Sequence, residues 1–191
     1  MTNLGGVYLI EQLIAKHCAP ALAGIKPSNI VSCQKSEIKN INDEIKKLNK
    51  QLNKKDIYIE SLCECEKRVL LIVYRRAVLE AHLNNQKNKA FLTQYGYSEA
   101  EVISDYLDIL RAALKRDMFP HEIGVFLGYP LRDIYSFINH RDDGCLLIGE
   151  WRVYHNPEEA EKMFCRFKSC RNALVRKISE GRTLAQIFCA V

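Results

Sequence analysis

The 191-residue chain lacks any hydrophobic run long enough to span a membrane. Its longest, Val69–Tyr74, is far below the roughly 18–20 apolar residues a membrane helix needs. The opening MTNLGGVYLIEQLIAKHC has no cationic segment and is interrupted by Glu11 and Gln12, so it is expected to be a helix inside the fold rather than a signal peptide. Paired C-x-x-C motifs are missing: Cys63-Glu64-Cys65 reads C-x-C, and Cys165 and Cys170 are separated by four residues. Neither spacing suits a zinc site or an iron–sulfur cluster. The HEIGV stretch at 121–125 lacks the second histidine of H-E-x-x-H, which removes a zincin site, and no metal site is assigned. Internal repeats, low-complexity linkers and a composition break are also absent, so one domain over residues 1–191 is expected.

What the chain does have is cysteine, eight in all, at 18, 33, 63, 65, 145, 165, 170 and 189. Irregular spacing without an export signal argues against a secreted disulfide framework and for reduced thiols in a cytoplasm. An apolar fraction of 48% with 27% charged residues is a globular composition. The net charge of +5, concentrated at 35–55 and 166–182, is compatible with nucleic acid or an acidic partner and demands neither.

Periodicity gives the element order. A first helix is expected over about 7–17, ended by Pro20, then a short strand at 29–33. From Ser36 to Leu52, Ile38, Ile41, Ile45, Leu48 and Leu52 recur every three or four residues, the stripe of a surface helix laid on a sheet. DIYIESLCEC and RVLLIVYRR read as two strands joined by a tight turn at Glu66-Lys67, the second apolar on both faces. Helices follow at about 77–82 and 88–95. A longer one is expected from Ser98, with Ser98 and Glu101 as a capping box and Val102, Tyr106, Ile109, Leu110 and Ala113 as its apolar face. LLIGEWRVY is expected to be a strand, and Asn156-Pro157 opens a helix whose stripe is Ala160, Met163, Phe164, Phe167 and Cys170. A short helix near 183–188 closes the chain. The class is α+β: a small, mostly antiparallel sheet of about four strands among seven or eight helices.

FPHEIGVFLGYPLRDIYSFINH, residues 119–140, is a helical corner. Pro120 starts one helix, Gly128 ends it and Pro130 starts the next. Gly124 would admit a close approach while Ile134 and Phe137 anchor the second helix. That helix is then expected to expose Arg132, Asp133, Ser136, Asn139 and His140. Three functional classes follow. One is a small-molecule-binding protein or a thiol/histidine-dependent enzyme, with Cys18, His121 and Glu122 as catalytic groups and His17, Tyr74, Arg75 and Trp151 around the ligand. A second is a DNA-binding regulator that reads the major groove with Arg132, Ser136, Asn139 and His140. A third is a scaffold that docks a partner on the lysine-rich helix 36–52. No membrane partner is expected, and the sequence names no cofactor and no oligomeric state.

Four segments carry a resemblance: HCAPALAGIKPSNIVSC, RVLLIVYRRAVLE, FPHEIGVFLGYPLRDIYSFI and GEWRVYHNPEEAEKMFCRFKSC. In order and spacing the chain resembles the domain of unknown function 3793 family (DUF 3793), found mainly in Clostridia and related anaerobes, from about residue 17 to 188. In the family's usual form the first motif reads H-C-A-P-T-L-A-G, and Ala21 stands here in place of the threonine. The resemblance implies an intracellular bacterial protein and supplies no reaction, cofactor or catalytic residue.

Overall fold

A computed structural model of the chain describes residues 4–116, 119–141 and 143–189, with side chains from Leu9 onward. The α+β class is as the sequence predicts. Among the described residues, nine α-helices accompany a three-stranded antiparallel sheet and a separate two-stranded one. The residues divide into two compact units, one made of Met1–Leu79 with Cys170–Val191, the other of Glu80–Ser169.

In the first unit, α1 (Leu4–Leu22) runs through Pro20 instead of stopping before it. The proline sits in the last turn, where it removes one hydrogen bond. The next N–H, of Ala21, donates to Asn29 Oδ1 at 3.1 Å. The helix then closes as a Schellman turn: Ile25 N–H donates to the Pro20 carbonyl and Gly24 N–H to that of Ala21, both at 3.0 Å. Gly24 has φ +73°, and a Cβ there would lie 3.3 Å from Arg75 Cδ. The HCAPALAGIKP motif is therefore a helix terminus with its exit turn.

The sheet comprises β1 (Ser28–Gln34), β2 (Ile57–Glu64) and β3 (Arg68–Arg75) in the order β1-β3-β2, with Val31 opposite Leu71 and Ile59 opposite Val73. One face carries Val31, Cys33, Ile57, Ile59, Val69, Leu71 and Val73 into a core shared with α1. It also receives α2 (Ile41–Leu52), the expected stripe helix, which starts later than its sequence period because Asn40 turns the chain at φ 55°. Ile38 reaches the same core from the turn before α2. The stripe, Ile41, Ile45, Leu48 and Leu52, is buried. At about 1.5–3 kcal/mol for each fully buried aliphatic side chain, it anchors α2 from within. β2 is an edge strand, and α2 blunts that edge: Asn49 donates to the Ile59 carbonyl at 2.7 Å and accepts its N–H at 3.0 Å. The ladder slips between Ser61 and Cys63, leaving Leu62 as a bulge.

The chain's last helix completes this unit. α9 (Leu184–Phe188) is capped by Thr183, whose hydroxyl accepts the Gln186 N–H while Gln186 Oε1 accepts that of Thr183. The buried carboxylate of Glu11 accepts the N–H of Leu184 at 2.9 Å.

The division between the units falls within α3 (Arg76–Leu83) and again within the long α8 (Pro157–Ser179). Inside the second unit lie α4 (Gln86–Thr93) and α5 (Ile103–Ala113). α5 begins five residues after the expected Ser98. Its N-terminus is held by Asp105, whose carboxylate accepts the N–H groups of Glu101 at 3.0 Å and Val102 at 3.1 Å. Val102 is the extended N-cap and is exposed, and the buried face is Ile103, Tyr106, Leu107, Leu110 and Ala113.

The corner at 119–140 holds α6 (Ile123–Phe126), a single turn, and α7 (Leu131–His140). Gly124 does permit close approach: a Cβ there would meet Ile134 Cδ1 at 3.0 Å. LLIGEWRVY is not one strand. It folds on itself as β4 (Leu147–Ile148) and β5 (Arg152–Val153), which is why the strands fall into two sheets. Trp151, Val153, Ala160 and Phe167 form a small core with Tyr129, Met163 and Phe164 packed against it.

Candidate functional site

Asp133 organises the second unit's polar centre. It lies in the first turn of α7, where a carboxylate ordinarily faces solvent near the helix dipole. Its side chain is 2% exposed and turns to the segment around β5. Oδ2 accepts the Trp151 indole N–H at 2.7 Å. Oδ1 accepts the backbone N–H of Tyr154 at 3.0 Å, that of His155 at 3.1 Å, and His155 Nδ1 at 3.2 Å. Every partner is a donor, the set an acceptor-only carboxylate satisfies. The expected exposure of Asp133 on a recognition helix is thus overturned, because the hairpin's return strand brings four donors to it.

His155 becomes the notable residue. Its side chain is 44% exposed while the carboxylate beneath it is 2% exposed. The carboxylate only accepts, so in the neutral ring the proton sits on Nδ1 and the lone pair on Nε2. This is how a buried carboxylate orients an accessible imidazole for proton transfer. Asn156 follows with φ 50° and turns the chain into α8 at Pro157, which fixes the backbone on both sides of the ring.

One turn along α7 from Asp133, the Phe137 ring receives two further groups. The His121 ring meets it edge-on at 5.4 Å, and the Arg152 guanidinium lies 5.9 Å from its centre. Two residues singled out in the sequence, His121 and Trp151, therefore pack on successive turns of one helix. Trp151 is a core residue, tilted against Tyr129 at 5.2 Å and edge-on to Phe164 at 4.7 Å. Glu122 is buried, and its charge adds to burial in raising the phenols of Tyr95 and Tyr97. Arg132, Asn139 and His140 are exposed on α7, and Ser136 is half-buried.

The other candidates belong to the first unit. Cys18 is fully buried in α1, and desolvation, followed by the neighbouring Cys33, pushes its thiol far above the ordinary value despite Lys26. His17, its neighbour, is exposed. Tyr74 is fully buried and donates to Glu60; burial first and that bond second raise its phenol. Arg75 clamps the end of α1 to the turn before β2, with Nε donating to the Leu22 carbonyl at 2.7 Å and Nη1 to that of Lys55 at 3.0 Å. Among the described residues, no group of three or more His, Cys, Asp or Glu is arranged to hold a metal ion. No helix among them is long and apolar enough to cross a membrane.

Sequence reasoning missed His155 and mistook Asp133 for a surface residue. The available signal was weak: an aspartate in a helix's first turn, with its partners 18 to 22 residues downstream in a segment that reads as a plain strand. Among known proteins, the sequence model of one family, described as protein of unknown function (DUF3793), matches residues 14–188. No curated protein and no solved structure matches the chain.

Proposed function

For a chain that belongs to the DUF3793 family over nearly its whole length, we propose a small-molecule-binding function in which His155, oriented by Asp133, accepts or delivers a proton. The observation that carries this reading is the buried carboxylate holding Nδ1 of an exposed ring at 3.2 Å. A histidine used only for packing would bury its ring. The thiol of Cys18 takes no part, since its surroundings favour the neutral form. All eight cysteines are unpaired, which supports a reducing, cytoplasmic setting.

The test is hydrolysis of a panel of activated small esters by the full chain, alongside nitrogen-resolved NMR of the imidazoles. His155 is expected in the Nδ1–H form, and H155Q is expected to abolish turnover while the circular dichroism spectrum is unchanged. D133N should shift the ring's tautomer balance and lower turnover by about 10²-fold, a typical loss for a misoriented acid–base group. Equal turnover in H155Q and wild type, or a His155 ring in the Nε2–H form, overturns the reading.

A further inference from the structure

The β2–β3 hairpin carries two thiols at its tip. The bulge at Leu62 resets the pleat so that Cys63 stands opposite Leu70, and Cys65 N–H donates to the Arg68 carbonyl at 2.9 Å to close the turn. Cys65 lies one residue beyond the end of β2, so the two thiols bracket the point where the strand gives way to the turn. Cys65 is exposed and Cys63 half-buried.

Their surroundings differ in a useful way. The turn's own N–H groups, of Lys67 and then Arg68, hydrogen-bond the Cys65 sulfur; with Lys35 and Arg68 nearby, they hold its thiol below the ordinary value. Lys35 is fixed beside the turn by its N–H to the Lys67 carbonyl at 2.9 Å and its Nζ to Glu64 at 2.6 Å. Cys63 is displaced upward, by burial first and by the Cys65 charge second. An exposed, more acidic thiol next to a half-buried, less acidic one is the division of labour between attacking and resolving thiols. Neither Cys18 nor Cys33 offers this, since both are fully buried.

We propose that Cys63 and Cys65 form a dithiol redox site that reduces small-molecule disulfides. The Cys65 thiolate attacks one sulfur of the incoming disulfide; a new S–S bond forms and the substrate's other half leaves as a thiolate. Cys63 then gives up its proton and attacks the Cys65 sulfur, releasing the second half as a thiolate. The pair ends as a disulfide, and its two electrons leave on the two substrate thiols. A disulfide ring closed across a single intervening residue is strained and easily re-reduced, so the pair cycles rather than staples the hairpin.

The experiment uses the reduced full chain and oxidised glutathione at neutral pH, with acid quenching, alkylation and mass mapping of the tryptic peptide 56–67. Wild type is expected to lose two hydrogens from that peptide and to retain no glutathione. C63S is expected to keep glutathione on Cys65, and C65S to react several-fold more slowly at Cys63. Exposed Cys165 on α8 is the internal reference, and needs no variant. Uptake at Cys65 no faster than at Cys165, or a wild-type chain that retains glutathione as C63S does, overturns the proposal.

Discussion

His82 shows how one ring couples the second unit to pH. Its Nε2 lies 2.9 Å from the Val125 carbonyl, which can only accept, so Nε2 carries the proton in the neutral ring. Asn88 donates to the His82 carbonyl at 2.8 Å, so a few bonds join α3, α4 and α6. Burial lowers the affinity of the ring for a second proton below the ordinary 6.5, against the opposing pull of Val125. The unfolded chain therefore takes up that proton first as pH falls. The stabilisation is complete above about pH 6.5 and is lost below it, as pH drops toward the folded-state value. Thermal melts of wild type and H82N at pH 7.5, 6.5 and 5.5 should converge toward the acidic end; a constant gap would show that the ring does not titrate this way. Asp133 acts through the donors it holds. D133A would strand a buried indole N–H and two backbone N–H groups, and at about 1–3 kcal/mol for each unsatisfied group it should lower the denaturant midpoint well beyond any surface change.

At the scale of elements, α2 tests whether its apolar stripe belongs to a partner or to the chain itself. Ile41 and Ile45 are buried at 5% and 7% exposure, so replacing both with aspartate should unfold the first unit. Truncation alone costs about 2–5 kcal/mol per site, and buried charge adds to that. Loss of the cooperative melt is the expected result; a folded double variant would mean that the stripe faces outward. This helix was legible because its period survives any tertiary context, and the three long strands because β-branched runs have few other uses. The proline and glycine punctuation of the corner also placed α7 correctly. What could not be read depends on returns of the chain. LLIGEWRVY looks like one strand until Gly149 and Glu150 turn it, and only then does Asp133 meet Trp151 and His155. The later start of α5 has a local origin instead: Asp105 accepts the N–H groups of Glu101 and Val102 and so sets the helix to begin at Ile103.

For the whole molecule, the governing fact is that the first unit is built from two separated stretches of chain. Its core draws Leu174, Ile178 and Leu184 from the far end, and Glu11 supplies a hydrogen bond to a residue 173 positions away. Removing α9 should therefore destabilise the sheet and α1 while leaving the His82 and Asp133 networks protected in amide exchange; equal loss of protection in both units would contradict this. Burial disfavours the charged Glu11 carboxyl and raises it, and the Leu184 N–H offsets part of that cost. During synthesis the order of events follows. The middle stretch is complete, and free to fold, while the ribosome is still adding the closing helix. Until then the share of the core that Leu174, Ile178 and Leu184 fill stands open beside α1, α2 and the sheet.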